Sequence, residues 1–280
     1  MLGTQRGLRV LGPSDLPEVQ QLLARDPITN VFVDHRVRLT QLEPRWLGGE
    51  IWGYDEGGSL VSLCHAAANL SPIQASPAAL TAYATRALQQ GRKCGSIMGV
   101  HEQVMALWQL LAPDWGPARS VRPRQPFLVL EGPPATAVSP DVRRVRPEEI
   151  DLLYPACVAM YTEELGVSPE TSGGAALYRA RVAQLIAKGH AFAHIADGEV
   201  LFKAEIGALT PNACQLQSVW ITPRLRGQGL ANAYVAAACV MAQQEAPVIS
   251  LYVNEHNQPA RRAYTAVGFT HRCDFATILF

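Results

Sequence analysis

The sequence predicts an α/β chain (α+β in the sense of its mixed sheets) made of two similar lobes, each a mostly antiparallel sheet flanked by helices. Three observations predict it. A short strand leading into a proline-acidic helix start occurs twice, as Arg9-Val-Leu-Gly-Pro-Ser-Asp-Leu16 and as Arg143-Arg-Val-Arg-Pro-Glu-Glu-Ile150. A hairpin pattern follows each copy, at 51–65 and at 191–206. A helix, strand, helix order then recurs, once over 76–111 and once from residue 230 onward. The 280 residues suit two domains of ordinary size. The expected division is a first lobe over 1–130, a linker over 131–140 and a second lobe over 141–280.

Taken in order, residues 8–11 form a strand, and Pro13 opens a helix through Val19, Leu22 and Leu23. A second helical stretch covers 28–42. Residues 51–54 and 59–65 pair as a hairpin, with Gly57 and Gly58 supplying the turn. Ser76 and Pro77 start a helix to residue 90: serine caps it, and proline sits where a missing N–H costs nothing. A strand over 94–100, a helix over 101–111 and a strand over 126–130 complete the lobe. Proline and small residues make the linker extended and stiff. Beyond it a helix runs over 147–161, ahead of the second hairpin, and residues 270–280 form the strand expected to close the second lobe.

The stretch Val219-Trp-Ile-Thr-Pro-Arg-Leu-Arg-Gly-Gln-Gly-Leu-Ala231 reads strand, tight turn, helix. Val219, Trp220 and Ile221 suit a pleated surface, Pro223 stops the strand, and Gly227 and Gly229 let backbone approach a ligand closely. A helix N-terminus with open N–H groups and Arg226 beside it is suited to phosphate; an ordinary strand-to-helix turn is the equal alternative on this stretch alone. No Gly-Lys-Ser/Thr follows, and Asn232 stands where a dinucleotide fingerprint needs its third glycine.

A second cluster decides between them. After a strand over 249–253 come Asn257, Ala260, Tyr264, Gly268 and Phe269. Here the chain resembles the GNAT superfamily of acetyl-CoA-dependent N-acetyltransferases, in the two-lobed form with a degenerate N-terminal lobe. Arg226, Gly229 and Ala231 match the family's Gln/Arg-x-x-Gly-x-Gly/Ala cofactor motif, and the later five residues match its Asn-x-x-Ala, Tyr, Gly-Phe signature in register. The resemblance covers the second half of the chain. It implies that N–H groups of Arg226, Gly227, Gln228, Gly229, Leu230 and Ala231 hold the pyrophosphate of acetyl-CoA. It further implies that the edge of Val219, Trp220 and Ile221 pairs with the pantetheine arm, that an N–H near Ile221 polarises the thioester, and that Asn257 contacts the cofactor. Tyr264 stands where relatives keep a general acid; its other reading is a helix tyrosine packed on the core.

The first lobe lacks this equipment. Ser71-Pro-Ile-Gln-Ala-Ser-Pro-Ala78 carries no glycine, and His101-Glu-Gln-Val-Met-Ala-Leu-Trp108 does not supply the asparagine–tyrosine set, so no acyl-CoA is expected there. Acyl transfer also needs a neutral amine, and holding an alkylamine neutral at cellular pH costs about 4–5 kcal/mol. Relatives often place a Glu on the motif strand just before the Val-x-Ile segment; Gln217 and Ser218 fill those places here. The remaining candidates are Glu205, which shares a strand face with Lys203, and Glu163 and Glu164, just after the first helix of the lobe. Each of the three is otherwise a solvated surface charge.

Composition narrows the setting. With 24 basic and 24 acidic residues the formal charge is zero, which argues against nucleic acid and anionic membranes as partners. No apolar run reaches a membrane span, and residues 1–6 lead into no signal-peptide pattern. Six cysteines without a Cys-x-x-Cys pair point to reduced thiols in a cytoplasm. His190 and His194 lack a third ligand, so no metal is expected. Arg261 and Arg262 either reach the adenosine 3′-phosphate or face solvent. The reading is an N-acyltransferase moving acetyl from acetyl-CoA to a primary amine of a small molecule or protein by direct transfer. The alternatives are a CoA-binding regulatory module without turnover, or another acyl donor, of which a charged tRNA fits the neutral surface least.

Overall fold

The computed structural model describes residues 7–280; the opening residues, with their expected lack of a signal peptide, lie outside the described residues. The chain divides into two compact units. The first comprises the residues up to Leu128 with Tyr252–His256 and His271–Phe280, and the second comprises Val129–Leu251 with Asn257–Thr270.

The first unit begins with β1 (Gly7–Leu11), α1 (Leu16–Leu23), α2 (Val31–Thr40) and a single turn, α3 (Pro44–Leu47). The second helix starts three residues later than the sequence pattern suggests. The Asp26 carboxylate accepts the Thr29 N–H at 3.2 Å and closes a turn that delays it. The expected hairpin is β2 (Glu50–Glu56) and β3 (Ser59–Ala66), turning through Gly57 and Gly58 at φ 64° and 80°. A strand that the sequence reading passed over, β4 (Asn69–Ile73), follows; then come α4 (Pro77–Gln90), β5 (Ser96–Val100), α5 (His101–Trp115) and β6 (Ser120–Glu131). Ser76 caps α4 as expected, its hydroxyl accepting from the Ala79 N–H at 3.3 Å. Trp52, Tyr83, Ile97 and Leu107 anchor the core between the sheet and α4 and α5.

The second unit runs β7 (Arg143–Arg144), α6 (Ile150–Leu165), α7 (Ala175–Ala187), β8 (Ala191–Ala196), β9 (Glu199–Leu209), β10 (Ala213–Ile221), α8 (Ala231–Ala242), β11 (Val248–Tyr252) and α9 (Gln258–Val267). Its strand order is β11-β10-β9-β8-β7; β11 pairs parallel with β10, and the other registered pairs are antiparallel. The first helix reaches Leu165 rather than ending at residue 161, because nothing between breaks it before Gly166 caps it at φ 72°. Glu163 and Glu164 therefore stand in its last turn. Residues 131–140, expected as a linker, fall within the second unit, where the Ala135 N–H donates to the Val267 carbonyl and the Ser139 N–H to that of Ala233.

The closing strand, β12 (Thr270–Leu279), corrects an expectation. It pairs antiparallel with β5, from Phe275↔Val100 to Leu279↔Ser96, and so belongs to the sheet of the first unit, whose order is β1-β2-β3-β4-β5-β12-β6. Its buried Phe275, Ala276 and Ile278 fit either lobe by pattern, so hydropathy alone could not choose between them. All six cysteines are free thiols. No helix among the described residues is long and apolar enough to cross a membrane.

Candidate functional site

The site is built around a break in β10. Ala213, Cys214 and Gln215 register with Val248, Ile249 and Ser250 of β11, after which no further pair follows. On its other edge β10 shifts register between Gln217 and Trp220, so that Gln217 opposes Glu205 while Trp220 opposes Lys203. Ser218 sits in this bulge at φ 55°, a left-handed conformation costing a serine about 1–2 kcal/mol. Beyond the bulge Trp220 and Ile221 stay paired with Lys203 and Phe202 of β9, while the other edge of this stretch has no registered partner on β11 and runs up to the glycine turn.

That turn has the geometry an anion site needs. Pro223–Leu225 form a single 3₁₀ turn, held by the Thr222 hydroxyl and the Arg224 guanidinium on Glu199. Gly227 and Gly229 follow at φ 76° and 79°, and a Cβ on either would project into open space. The N–H groups of residues 227–230 donate to no acceptor among the described residues, and α8 begins directly behind them. Four open donors at a helix start, with space in front, fit a pyrophosphate.

Arg226 points elsewhere. Its guanidinium makes a bidentate pair with Glu163 at 2.7 and 2.8 Å, and its Nε donates to the Ile221 carbonyl at 3.0 Å. The Trp220 indole adds a third contact on Glu163 at 3.3 Å. The Arg226 contact holds the Glu163 carboxyl below its ordinary value. The glycine turn is thus tied to the last turn of α6. Glu164 is exposed beside it, and its charge is felt at Tyr264.

The expected pairing of Lys203 with Glu205 is present, and both side chains are buried. The Lys203 ammonium lies 3.4 Å from Glu205 Oε2 and donates to the Ser218 carbonyl at 3.1 Å. Gln217 Nε2 and the Ser218 hydroxyl donate to Glu205 Oε1 at 2.8 and 2.9 Å. Burial pushes the Glu205 carboxyl up; the Lys203 charge and these hydrogen bonds outweigh it, so the group sits below its ordinary value and is ionised. The two residues standing in place of the relatives' glutamate thus hold a different glutamate. Gly207 makes this possible, since a Cβ there would lie 2.1 Å from Gln217 Oε1. Sequence reasoning missed Gly207, as it missed α7, whose Tyr178 and Arg181 act on the same carboxylate neighbourhood.

Asn257 and Tyr264 lie on α9. Asn257 caps the helix, accepting the Ala260 N–H at 3.2 Å, which gives the Asn-x-x-Ala spacing a local structural cause. Tyr264 is buried, its ring edge-on to Phe269 at 5.7 Å, and its hydroxyl makes no hydrogen bond among the described residues. Burial raises its pKa. His194 bonds the Tyr234 hydroxyl at 3.0 Å, and no metal-binding group is found among the described residues.

Residues 159–269 match the model of the acetyltransferase (GNAT) family. The chain carries a GNAT acetyltransferase domain. Residues 49–153, over most of the first unit, match a domain of unknown function. Solved structures extend the likeness across both lobes. A GNAT-family acetyltransferase from Colwellia psychrerythraea is 14% identical, with 98% of this chain and 99% of that one covered at a TM-score of 0.58. A GCN5-related N-acetyltransferase from Sphaerobacter thermophilus is 16% identical, with coverage of 97% and 94% and a TM-score of 0.62. A tandem GNAT protein from the clavulanic acid biosynthesis pathway is 15% identical, with 98% of each chain covered and a TM-score of 0.56. None of the curated proteins matches the chain. At these identities the structures establish the shared fold, and the GNAT fold implies binding of an acyl-CoA.

Proposed function

We propose that the second lobe transfers an acetyl group from acetyl-CoA directly to a primary amine of a small molecule or protein. The observation that carries this reading is the open turn at Gly227–Leu230 beside the edge of β10 that lies past its last registered pair with β11. The turn's N–H groups hold the pyrophosphate, and Val219, Trp220 and Ile221 offer main-chain partners to an extended arm. The bound donor supplies an activated thioester. Tyr264 keeps its proton, since its pKa lies far above the roughly 8.5 of a thiol, and so stabilises a departing thiolate by donating a hydrogen bond. Glu205, ionised and hydrogen-bonded, is a weak base and a strong local charge, suited to favouring a cationic amine. Glu163 and Glu164 complete an acidic end of α6 on the acceptor side.

A measurement of thiol release from acetyl-CoA against a panel of amines tests the reading. Turnover with at least one amine supports it, and binding without turnover across the panel overturns it. The second reading, a CoA-binding module without catalysis, is favoured by Gln217 and Ser218 where relatives keep a carboxylate. Glu→Gln changes at 163, 164 and 205 separate roles once an amine is found. A base loses kcat and shifts the acidic limb of the pH profile, whereas a steering charge raises KM.

A further inference from the structure

The strand β10 changes phase at Ser218. In an antiparallel strand each residue turns both main-chain groups to one edge, and its neighbour turns them to the other. On β9 the Ile206 N–H donates to the His190 carbonyl beside β8 at 2.9 Å, so Glu205 faces β10, where its register partner is Gln217. Past the bulge the Thr222 N–H donates to the Leu201 carbonyl of β9 at 2.9 Å, with Trp220 opposite Lys203. An odd-numbered residue therefore faces β9 before the bulge, and even-numbered residues face it afterwards. The two-against-one count moves the Ile221 N–H and the Val219 carbonyl to the edge that has no registered partner on β11. There Arg226 takes the Ile221 carbonyl at 3.0 Å, which leaves that N–H and that carbonyl as the edge's donor and acceptor.

Side chains on one sheet face hold the bulge. Ser218 sits at φ 55°, which a residue with a Cβ keeps only when its surroundings hold it there. Lys203 Nζ donates to the Ser218 carbonyl at 3.1 Å, and Glu205, 3.4 Å from that ammonium, accepts from the Ser218 hydroxyl at 2.9 Å. Both charged side chains are buried, and small residues make room for them. Ala193 and Ala191 are their partners on β8, and Gly207 admits the Gln217 amide. A buried ion pair adds little stability over an apolar pair of like volume. Here its effect is local, since each partner also bonds residue 218.

We propose that Lys203 is a positioning residue of the donor site. Through the Ser218 carbonyl it locks the phase of β10, and so presents the Ile221 N–H and the Val219 carbonyl to the pantetheine amides of an acyl-CoA. An amide brings an acceptor and a donor, which match that pair. The inference rests on the acyl-CoA reading above, and it concerns the donor rather than the acceptor amine.

The test is the double variant Lys203→Met with Glu205→Gln in the full chain, which removes both charges together and leaves neither buried alone. Calorimetry compares coenzyme A with 3′-phosphoadenosine 5′-diphosphate, which carries the diphosphate and lacks the pantetheine arm. In the variant, coenzyme A is expected to bind about tenfold more weakly or worse, because two main-chain hydrogen bonds are misplaced. The nucleotide should stay within about twofold of wild type, since the glycine turn is untouched. Adding Ser218→Gly, which takes φ 55° without strain, is expected to restore most of the coenzyme A affinity. If the double variant does not fold, the wild-type chain decides: coenzyme A should slow hydrogen exchange at the Ile221 amide, and the nucleotide should not. Equal coenzyme A binding by wild type and double variant would overturn the proposal. So would equal losses for the two ligands, failure of Ser218→Gly to rescue, or an Ile221 amide that coenzyme A leaves unchanged. A wild-type chain that binds no coenzyme A ends the acyl-CoA reading and this inference together, whereas wild-type binding with any of those results ends this inference alone.

Discussion

Each unit contains a parallel strand pair that parts partway along: β4 from β5 in the first, β10 from β11 in the second. The difference lies in what stands at the mouth. In the second unit Gly227 and Gly229 hold a left-handed turn, and a Cβ added at either would meet open space. In the first, the turn before α4 runs through Gln74, Ala75 and Ser76, and Gln103 and Ser76 take the N–H groups of Ala75 and Ala79. The two units therefore differ at this opening: a glycine turn, the proposed anion site, stands at it in the second, and a partly polar cavity lies there in the first. The opening between the strands is a property of the fold; its ligand chemistry is set by a few residues at the helix start.

The sharpest way to break the comparison is Gly229→Val. A β-branched residue at φ 79° is strained by at least about 1–2 kcal/mol, and its side chain enters the space in front of the turn. Calorimetry should register a loss of coenzyme A affinity well beyond tenfold, while Ala75→Gly in the first unit should leave the affinity unchanged.

Glu205→Gln probes the buried pair beneath the bulge. Leaving Lys203 without its carboxylate should cost about 3 kcal/mol in thermal or denaturant unfolding. The folded pKa of Glu205 is depressed, so its stabilisation is fully present above the unfolded value near 4.3 and is lost as pH falls through the folded value. The variant should therefore show a flatter acid limb than wild type; an identical limb would mean that another group controls it.

Tyr264→Phe should lower kcat by about 100-fold or less in a chemistry-limited assay, with coenzyme A affinity retained. An unchanged kcat would return Tyr264 to the core-packing role that its contact with Phe269 also supports. Gly207→Ala is milder. Its Cβ would displace Gln217 from Glu205, so a stability loss of about 1 kcal/mol is expected, and Gln217→Ala on top should add little if the two act together. Smallest of all, Glu163→Gln frees Arg226 from an exposed pair, and a change under about 1 kcal/mol in donor affinity should fade with added salt.

The second unit's glycine turn, its helix start and the register of Asn257, Ala260 and Tyr264 were legible in the sequence, because each rests on local backbone chemistry at fixed spacing. The partner of β12 was not, since pairing Phe275–Leu279 with Ser96–Val100, so far apart in the chain, leaves no local trace. Nor was the reason for Gln217 and Ser218: their hydrogen bonds to Glu205 exist only once a bulge places them beside β9. The cavity lined by Ser71 and Ile73 was hidden for the same reason, as β4 itself was overlooked.

The central claim is that only the second lobe has acyl-CoA chemistry, and stoichiometry tests it most directly. Calorimetric titration of the full chain with coenzyme A should give one site per chain, abolished by Gly229→Val. Two equivalent sites, or one site that survives Gly229→Val, would contradict the account.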